Sequence, residues 1–578
     1  MNNTDNKHRE NWKITKRLAA LAIAAMLTFT GCAGTQSTSA ESSDAGITAA
    51  SVTYDAASKS EMFTDRDLSG EYDEATAVKI ALNGTSAEIM AEGTETKGAD
   101  VSIDGTTLTI TGEGTYILSG SLTDGMIIVD ADDSAKVQIV LDGASVTSAS
   151  SAAIYVKSAD KVFVTTAAGT ENTLANGGTF TAIDDSNIDG AVFAKDDITF
   201  NGGGTLTVTS PAGHGIVGKD DVKIAGGTLK VTAAKHGIQA NDSARLAVAD
   251  ITVTAGTDGV HVSDDSDAEE GTESDSYFYI ADASLTVEAG DDGIHADAQA
   301  LIEGGRITVS SSYEGIEALD IEISGGDIDV TATDDGLNAA GGNSSAASGS
   351  ITFGDDDWAG GKGGFPGGGG FSDGGTDGII SISGGSSHIR AGGDSIDSNG
   401  SVSISGGTTI VEGPSSGDTS VLDYNSTAVI SGGTFIGTGG AGMAASFSSA
   451  ENQGLISVSV GNQSAGTTVT LTDSNGNVIA EQTPELDYAV VYISTEDVQQ
   501  GGTYTLTAGS YSETIELTES IYSNISGGMG GGIHGGRGNF GGGAPQQEEM
   551  NGGRGNFESE MPQEDGTNNG DGTWTQDI

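Results

Sequence analysis

The sequence predicts an all-β protein built as a parallel β-helix, and a short repeat carries that prediction. In each copy an acidic or histidine residue precedes a glycine and an aliphatic residue. The repeat glycines are Gly190, Gly215, Gly237, Gly259, Gly293, Gly315 and Gly336, spaced 25, 22, 22, 34, 22 and 21 residues apart. Gly-Gly and an alternating apolar strand follow most copies, and helical periodicity is absent from this part of the chain. A fixed period near 22 residues indicates a solenoid, in which each repeat buries its apolar face against its neighbours.

The N-terminus predicts export and lipid anchoring. Lys13, Lys16 and Arg17 form a basic segment ahead of the apolar run 18–30, which is too short to span a bilayer and typical of a signal peptide. Thr-Gly-Cys then resembles the end of a bacterial lipobox, with a phenylalanine where leucine is usual. We therefore interpret 1–31 as a lipoprotein signal peptide and Cys32 as the lipidation site, with an ordinary secretory signal as the alternative.

Residues 32–75 are rich in Ser, Thr, Ala, Asp and Glu, and we interpret them as a flexible tether. The β-helix is predicted over 76–450. In register, its repeats place one aliphatic column inside the coil (Ile216, Ile238, Val260, Ile294, Ile316, Leu337) and a second from the Gly-Gly strands (Leu206, Leu229, Ile307, Ile328). Two insertions, 263–276 and 341–377, interrupt the repeat.

Residues 451–522 lose the repeat but keep alternating strands, so they are predicted to form a small antiparallel module that caps the open end of the coil. Residues 523–578 are Gly-rich and repeat Gly-Gly-Arg-Gly-Asn-Phe, which indicates a disordered tail.

Charge limits the partners. Lys and Arg total 23 and Asp and Glu total 83, for a formal net charge of −60. Such a surface repels nucleic-acid phosphates and anionic lipid headgroups and attracts cations. We therefore expect no nucleic acid, contact with the membrane through the lipid anchor only, and a monomer.

The acidic residues that precede the repeat glycines are the candidate metal ligands: Asp189, Asp258, Asp292, Glu314 and Asp335. If the copies stack, the last four form a column of carboxylates about 4.8 Å apart. Neighbouring carboxylates at that spacing repel each other, so the column requires protonation or bound cations. Oxygen ligands in flexible geometry favour Ca²⁺. The alternative is turn chemistry, in which each Asp side chain bonds local backbone N–H groups.

Histidines and aromatic residues add weaker candidates. His214, His236, His261 and His295 fall within the same repeats and are interpreted as polar corner residues, with a transition-metal site as the alternative. Tyr277, Tyr279 and Trp358 lie in or beside the insertions and are candidate sugar-stacking residues. The alternative for the two tyrosines is a core strand.

Several strings resemble a clostridial carbohydrate-binding family. They are Ala-Ala-Ile-Tyr-Val-Lys-Ser-Ala-Asp-Lys-Val at 152–162, Gly-Thr-Glu-Asn-Thr-Leu at 169–174 and the downstream Asp-Gly-Ile and Gly-Gly-Thr repeats. The resemblance covers about 78–450. It implies a secreted right-handed parallel β-helix that binds cellulose-type or polygalacturonate-type polysaccharides and carries Ca²⁺.

Together these observations predict a non-catalytic, Ca²⁺-dependent polysaccharide-binding lipoprotein on the extracellular face of a bacterial membrane. Two alternatives stay open. One is a β-helix polysaccharide lyase or hydrolase, although the acidic pairs recur with the repeat and the three arginines of the coil form no distinctive cluster. The other is a surface stalk or adhesin with a protein partner.

Overall fold

The protein is described by a computed structural model over residues 59–90, 100–263, 276–339, 378–414 and 419–525. These residues lie in one compact unit, Ser58–Ile578. The predicted signal peptide, Cys32, nearly all of the insertion 263–276, the whole of 341–377 with Trp358, and most of the tail lie outside the described residues.

The described residues are almost entirely β. The helices are α1 (Lys59–Met62) and α2 (Asp65–Leu68). The first strands are β1 (Val78–Gly84), β2 (Ala87–Ile89), β3 (Val101–Asp104), β4 (Thr107–Ile110), β5 (Gly114–Leu122), β6 (Met126–Asp130), β7 (Lys136–Ser148), β8 (Ile154–Ser158), β9 (Lys161–Thr166) and β10 (Glu171–Asn176).

The repeat region begins with β11 (Gly190–Ala194), β12 (Asp197–Gly202), β13 (Thr205–Ser210), β14 (His214–Gly218), β15 (Asp221–Ile224), β16 (Thr228–Ala233), β17 (Ile238–Ala240), β18 (Ser243–Ala247) and β19 (Asp250–Ala255). It continues with β20 (Val260–Val262), β21 (Tyr277–Ala281), β22 (Ser284–Glu288), β23 (Ile294–Ile302), β24 (Arg306–Ser311), β25 (Ile316–Ile323), β26 (Asp327–Ala332) and β27 (Leu337–Ala339).

The later strands of the repeat are β28 (Ile379–Ile382), β29 (Ser386–Ala391), β30 (Ile396–Ser398), β31 (Ser401–Ile404), β32 (Thr408–Glu412), β33 (Asp423–Tyr424), β34 (Thr427–Ile430), β35 (Thr434–Gly439) and β36 (Ser449–Ala450). The last strands of the described residues are β37 (Gly454–Gln463), β38 (Val469–Asp473), β39 (Val478–Gln482), β40 (Tyr488–Thr495), β41 (Thr503–Ala508), β42 (Tyr511–Glu516) and β43 (Ile521–Ser523).

Most of these strands form three parallel ladders, because the chain returns to the same ladder about every 22 residues. Ladder 1 runs β8, β11, β14, β17, β20, the first parts of β23 and β25, β27, β30 and β33. Ladder 2 runs β9, β12, β15, β18, β21, the last parts of β23 and β25, β28, β31, β34 and β36. Ladder 3 runs β10, β13, β16, β19, β22, β24, β26, β29, β32 and β35.

The core lies between the ladders, and the predicted aliphatic columns are confirmed. Ladder 1 aligns Ile216, Ile238 and Val260 in consecutive coils, and all three are fully buried. Leu206 and Leu229 are paired in the same way on ladder 3. Side chains alternate in and out along each strand, so one apolar residue per pair of positions suffices to fill the interior.

Two glycine positions make this stacking possible. In the Gly-Gly turns that enter ladder 3, the second glycine has a positive φ, as at Gly305 (82°) and Gly407 (74°), which residues with a Cβ adopt reluctantly. In the acid-Gly-aliphatic element, a Cβ on Gly259 would overlap the Gly293 carbonyl oxygen of the next coil and a Val287 methyl group. The glycines of the repeat therefore allow close contact between coils as well as the turn conformation.

An antiparallel sheet follows the coils. The last strand of ladder 3, β35, pairs antiparallel with β40, which also pairs with β37. A separate four-stranded antiparallel sheet has the order β39-β38-β41-β42. Its apolar cluster includes Leu471, Leu506 and Ile515.

The tether prediction over 32–75 is wrong at its C-terminal end. Residues 59–72, which we call the strap, include both helices and pack on the outward face of ladder 2. Thr64 caps α2 by a reciprocal pair of hydrogen bonds with Asp67, whose side chain is completely buried. The Phe63 ring lies 6.2 Å from the Tyr279 ring. The buried side chains of Met62 and Phe63 and the carboxylate of Asp67 thus hold a segment that looks featureless in the sequence.

Candidate metal centre

The acidic residues before the repeat glycines stack in register, as the period predicts. The backbone N–H of Gly259 donates to the Asp292 carbonyl, Gly293 to Glu314, and Gly315 to Asp335. Gly336 continues the column by donating to Asp394. The carboxylates therefore occupy equivalent positions in successive coils at one edge of ladder 1, as we expected for Asp258, Asp292, Glu314 and Asp335.

Asp189 lies in the same column but outside this run of carboxylates. Two coils that carry His214 and His236 separate it from Asp258, since His214 N–H donates to the Asp189 carbonyl and Gly215 N–H to the His236 carbonyl. Its carboxylate is 3.8 Å from His214 Nε2. The column thus begins with an acid, continues with two imidazoles and ends with carboxylates.

A second column lies three residues further along each repeat and faces the first. Ladder 1 pairs Gln239 with His261, His261 with His295, and His295 with Glu317. Asn338, Asp397 and Asp423 extend it in the following coils. The two columns together form one strip of acids and imidazoles, which we call the stripe.

The histidine end of the stripe is held by short contacts to three acids. His261 Nδ1 lies 2.6 Å and His236 Nδ1 3.1 Å from Asp258 Oδ2. In the next coil, His295 Nδ1 lies 2.6 Å from Glu317 Oε2 and 3.3 Å from Asp292 Oδ2. Each imidazole is therefore the counterion or hydrogen-bond partner of a buried carboxylate.

These contacts set the protonation states. Burial alone would raise the pKa of Asp258, but hydrogen bonds from His236 and His261 outweigh it and lower the pKa. Burial would lower the pKa of His295, yet hydrogen bonds with Asp292, Asp297 and Glu317 raise it to about 12. These three hydrogen bonds therefore favour the protonated form of His295.

The acidic end of the stripe has no such partners. Burial, together with the neighbouring carboxylates, raises the pKa of Glu314 to about 8 and that of Asp335 to about 7. The same two causes raise the pKa values of Asp394 and Asp397 to about 6. Within the described ranges, no lysine or arginine forms an ion pair with these four residues. Like charges crowd here without compensation, which is the condition that favours a bound cation.

One cluster at this end brings three acids together. One carboxylate oxygen each from Asp335, Asp394 and Asp397 lies within 4.8 Å of the others. The turn-chemistry alternative also applies in part, because Asp335 Oδ1 accepts the Asp394 N–H at 2.6 Å and Asp394 Oδ1 accepts the Ser420 N–H. One oxygen of each of these two carboxylates thus stabilises the turn of the next coil.

Two further features fit this cluster to a hard cation. Asn338 lies beside Asp397 on ladder 1, is 6 % exposed, and donates its amide to Glu314 Oε2 at 2.7 Å. Its Oδ1 is buried and has no hydrogen-bond partner among the described residues. Gly393 leaves space for the acids, since a Cβ there would overlap carboxylate oxygens of both Asp335 and Asp334. An all-oxygen donor set of this kind suits Ca²⁺.

The predicted sugar-stacking tyrosines lie elsewhere and are covered. Tyr277 and Tyr279 belong to β21 on ladder 2, and both are buried. Tyr279 Oη is 2.5 Å from Glu303 Oε2, and Tyr277 Oη contacts Met62 Sδ of the strap at 3.7 Å. Neither ring presents a face to solvent, so the core-strand alternative describes them. Trp358 lies outside the described residues.

Sequence reasoning missed an aromatic residue that borders the stripe. Tyr313 directly precedes Glu314, and its side chain is 50 % exposed. A hydrogen bond with Asp334, and the charge of that carboxylate, raise its pKa to about 12. The signal was present in the sequence as the one aromatic residue among those that precede the acidic column.

Comparisons with known proteins support a carbohydrate-binding family. The family model described as carbohydrate-binding domain-containing protein matches residues 104–357. A carbohydrate-binding domain-containing protein of Acetivibrio thermocellus is 38 % identical over 120 residues, which are 20 % of this chain and 42 % of that protein. The chain therefore spans less than half the length of this curated relative.

A solved structure is also similar to part of the chain. The polysaccharide lyase-like protein from C. thermocellum, in a gadolinium derivative, has 28 % sequence identity and a TM-score of 0.35. The match covers 45 % of this chain and 96 % of that one.

In the described residues, no helix is long and apolar enough to cross a membrane.

Proposed function

We propose that this chain is a non-catalytic polysaccharide-binding lipoprotein whose right-handed parallel β-helix holds Ca²⁺ along the acidic end of the stripe. The observation that carries the proposal is the convergence of Asp335, Asp394 and Asp397, with one oxygen of each within 4.8 Å of the others and no basic partner in the described part of the chain. Those three acids and Asn338 Oδ1 would hold the ion. Bound Ca²⁺ would supply positive charge and bridging positions for anionic sugar groups.

The charge of the protein supports a bridged mode of binding. A chain with a net charge of −60 repels a polyuronate. Carboxylates that share a cation with the polysaccharide remove that repulsion locally. A neutral glucan would need no bridge and would depend on hydrogen bonds and stacking.

Tyr313 supplies a surface for stacking beside the acids. Tyr313 is half exposed. Its side chain forms a hydrogen bond with Asp334, the residue directly before the proposed ligand Asp335. An aromatic face with neighbouring polar groups is the usual composition of a sugar subsite. Tyr313 replaces Tyr277 and Tyr279 as our candidate for contact with the glycan.

The positions of the three arginines in the described coils support binding without cleavage. Arg245 pairs with Asp221 at 2.9 Å under the strap, and Arg306 pairs with Asp327 at 2.7 Å on ladder 3. Arg390 pairs with Asp329, also on ladder 3. Each is thus engaged away from the stripe, whereas a lyase requires a base next to its bound sugar.

Location at the extracellular face rests on the N-terminal sequence. Replacing Cys32 with Ala should release the protein from the membrane fraction into the medium if Cys32 carries the lipid. Continued membrane association of the variant would remove the anchor from the proposal and leave the binding activity untouched.

Affinity gel electrophoresis on polygalacturonate tests the binding function. The mature chain should be retarded in Ca²⁺ and released in EGTA, and Asp397→Asn should lose the retardation. Asp327→Asn is the matched control, since Asp327 is an exposed acid paired with Arg306 on another ladder, and it should behave as wild type.

Other outcomes of the same assay contradict the proposal. Release of unsaturated or reducing sugar would identify an enzyme. Absence of retardation on both polygalacturonate and a neutral glucan would favour the adhesin alternative.

A further inference from the structure

The histidine end of the stripe is a stack of four imidazole rings. His214, His236, His261 and His295 follow one another with ring centroids 4.9, 4.2 and 4.8 Å apart and interplanar angles of 22°, 16° and 12°. Two of the rings come from the first column and two from the second. The stack forms because both columns face the same strip of surface, so a ring from one can lie over a ring from the other.

The two central rings point the same nitrogen at one carboxylate oxygen. Asp258 Oδ2 is 2.6 Å from His261 Nδ1 and 3.1 Å from His236 Nδ1. Asp258 is buried, with 5 % of its side chain exposed, whereas about a fifth of each imidazole is exposed. The three donor atoms lie within 4.8 Å of one another. The cluster is therefore preorganised and open to solvent on one side.

The hydrogen bonds around His236 cannot all be satisfied by one tautomer. Its Nδ1 lies 2.9 Å from Thr257 Oγ1 and 3.3 Å from the Asp258 backbone N–H, which can only donate. The same nitrogen faces the Asp258 carboxylate, which accepts when ionised. An Nδ1 lone pair and a carboxylate oxygen repel each other at this distance unless a proton or a metal cation lies between them.

We propose that His236, Asp258 and His261 bind a divalent transition-metal ion of the Zn²⁺ class, at a site separate from the Ca²⁺ ligands of the acidic end. Imidazole is a ligand that Zn²⁺, Ni²⁺ and Cu²⁺ prefer and Ca²⁺ does not. Two histidines and one carboxylate are a known protein ligand set for Zn²⁺ with an open position. This inference concerns a different ion and does not depend on the proposed glycan binding.

A second observation strengthens the assignment. His214, next in the stack to His236, is buried and has an Nδ1 with no hydrogen-bond partner among the described residues. Buried polar atoms are almost always paired, so an unpaired imidazole nitrogen beside the cluster indicates a group that is not part of the protein. His214 is accordingly a candidate for an additional contact to the ion or its bound water.

Spectroscopic titration of the chelator-treated full chain tests the site. Co²⁺ serves as a visible probe for Zn²⁺, and we expect one equivalent to bind with visible absorption bands of a nitrogen-ligated ion. Zn²⁺ should displace Co²⁺, and excess Ca²⁺ should not. His261→Gln should weaken Co²⁺ binding by at least about 100-fold, since loss of a residue that merely orients a ligand already costs about 10–100-fold.

Three variants separate loss of a ligand from loss of structure. His236→Asn should repeat the effect of His261→Gln. Asp335→Asn, at the acidic end, should keep Co²⁺ binding and lose only its response to Ca²⁺. His388→Gln is the matched histidine control, because His388 pairs with Glu412 outside the stripe at 3.0 Å, and it should bind Co²⁺ as wild type does.

Several results would overturn the inference. They are the absence of Co²⁺ and Zn²⁺ binding by the wild-type chain, binding of Co²⁺ by both histidine variants as tightly as by wild type, or displacement of Co²⁺ by Ca²⁺. If His261→Gln fails to fold by circular dichroism, the result with His236→Asn decides.

Discussion

Two rows of charged side chains lie on the outside of the same coils, and the protein neutralises only one of them. On ladder 2, Lys161 Nζ lies 2.7 Å from Asp67 Oδ1 of the strap, and Lys223 Nζ lies 2.9 Å from Asp221 Oδ2. The guanidinium of Arg245 also pairs with Asp221 and donates to the Met62 carbonyl of the strap. On ladder 1, the acids of the stripe meet imidazoles at one end, whereas at the other end they meet neutral hydrogen-bond donors and each other, with no basic partner among the described residues.

The difference shows what each row is for. Buried charges are tolerated when they are paired and their remaining hydrogen bonds are satisfied. The row under the strap meets that condition with residues of the protein itself, so it fastens residues 59–72 to the coil. The acidic end of the stripe does not meet it, because its partly buried carboxylates have no basic partner among the described residues. We infer that the first row is structural and that the second is kept for cations from outside.

The largest effect should come from breaking the covered row. Lys161→Met leaves the fully buried Asp67 without its ammonium partner, and loss of one partner of a buried pair costs about 3–5 kcal/mol of unfolding free energy. Chemical denaturation measures this. Lys136→Ala is the matched control, because the Lys136–Asp160 pair at 3.2 Å is nearly half exposed and should contribute at most about 1 kcal/mol. Equal losses of unfolding free energy in the two variants would contradict the inference that the covered row stabilises the fold.

Cation removal should have the next largest effect, and it should act on the stripe alone. Ca²⁺ at about 100 times its dissociation constant stabilises the folded state by about 2.7 kcal/mol, so the melting temperature should fall in EGTA. Asp397→Asn should melt at or above the wild-type temperature in EGTA, because it removes a repelling charge, and should not respond to Ca²⁺. A wild-type melting curve that EGTA leaves unchanged would refute the Ca²⁺ site.

Lowering the pH should change the contributions of the two rows to stability in opposite directions. Burial would raise the pKa of Asp67, but Lys161 and Thr64 lower it from 3.8 to about 2. Its contribution, about 2 kcal/mol, is therefore present above pH 4 and lost as the pH falls to 2. Asp335 has a raised pKa of about 7, so without metal the folded state binds the extra proton, and its cost to stability grows as the pH rises from about 4 to 7.

Denaturation of two variants as a function of pH, in EGTA, measures these signs. Asp67→Asn should be destabilised at pH 6 and should converge with wild type near pH 2. The free energy of unfolding of Asp335→Asn should increase relative to that of wild type as the pH rises. Parallel curves for Asp335→Asn and wild type would show that this carboxyl is not perturbed.

The sequence predicted the column because its period is local and visible. Each repeat carries its own Gly, its own interior aliphatic residue and its own acid or histidine, so counting residues sufficed to align Asp258, Asp292 and Glu314. The partner column was also visible, as polar residues three positions on, such as His261, His295 and Glu317. The sequence analysis treated the two columns separately and therefore interpreted the histidines as isolated corner residues, although side chains from both columns share one surface.

The strap could not be predicted in the same way. Asp67 pairs with Lys161 but does not belong to any sequence repeat. Arg245 donates to the Met62 carbonyl, and the two residues are 183 positions apart in the sequence. Nothing near Tyr277 or Tyr279 in the sequence indicates that a distant segment covers them. The error in the aromatic candidates therefore follows from the error in the tether: once 59–72 packs on ladder 2, both rings become part of the interior.

The smallest effect concerns Tyr313, and it asks whether the stripe and its aromatic neighbour act together on a glycan. Tyr313→Ala removes the exposed ring face that would be available to a sugar, and we expect a loss of about 1 kcal/mol, which is roughly fivefold in affinity. Stability should change little because the side chain is half exposed. Val478→Ala is the matched control, since Val478 is an exposed apolar residue of the separate antiparallel sheet. Affinity gels in saturating Ca²⁺ compare the two. Unchanged retardation of Tyr313→Ala would confine glycan contact to the cation-bridged acids, whereas complete loss would make stacking the main source of affinity.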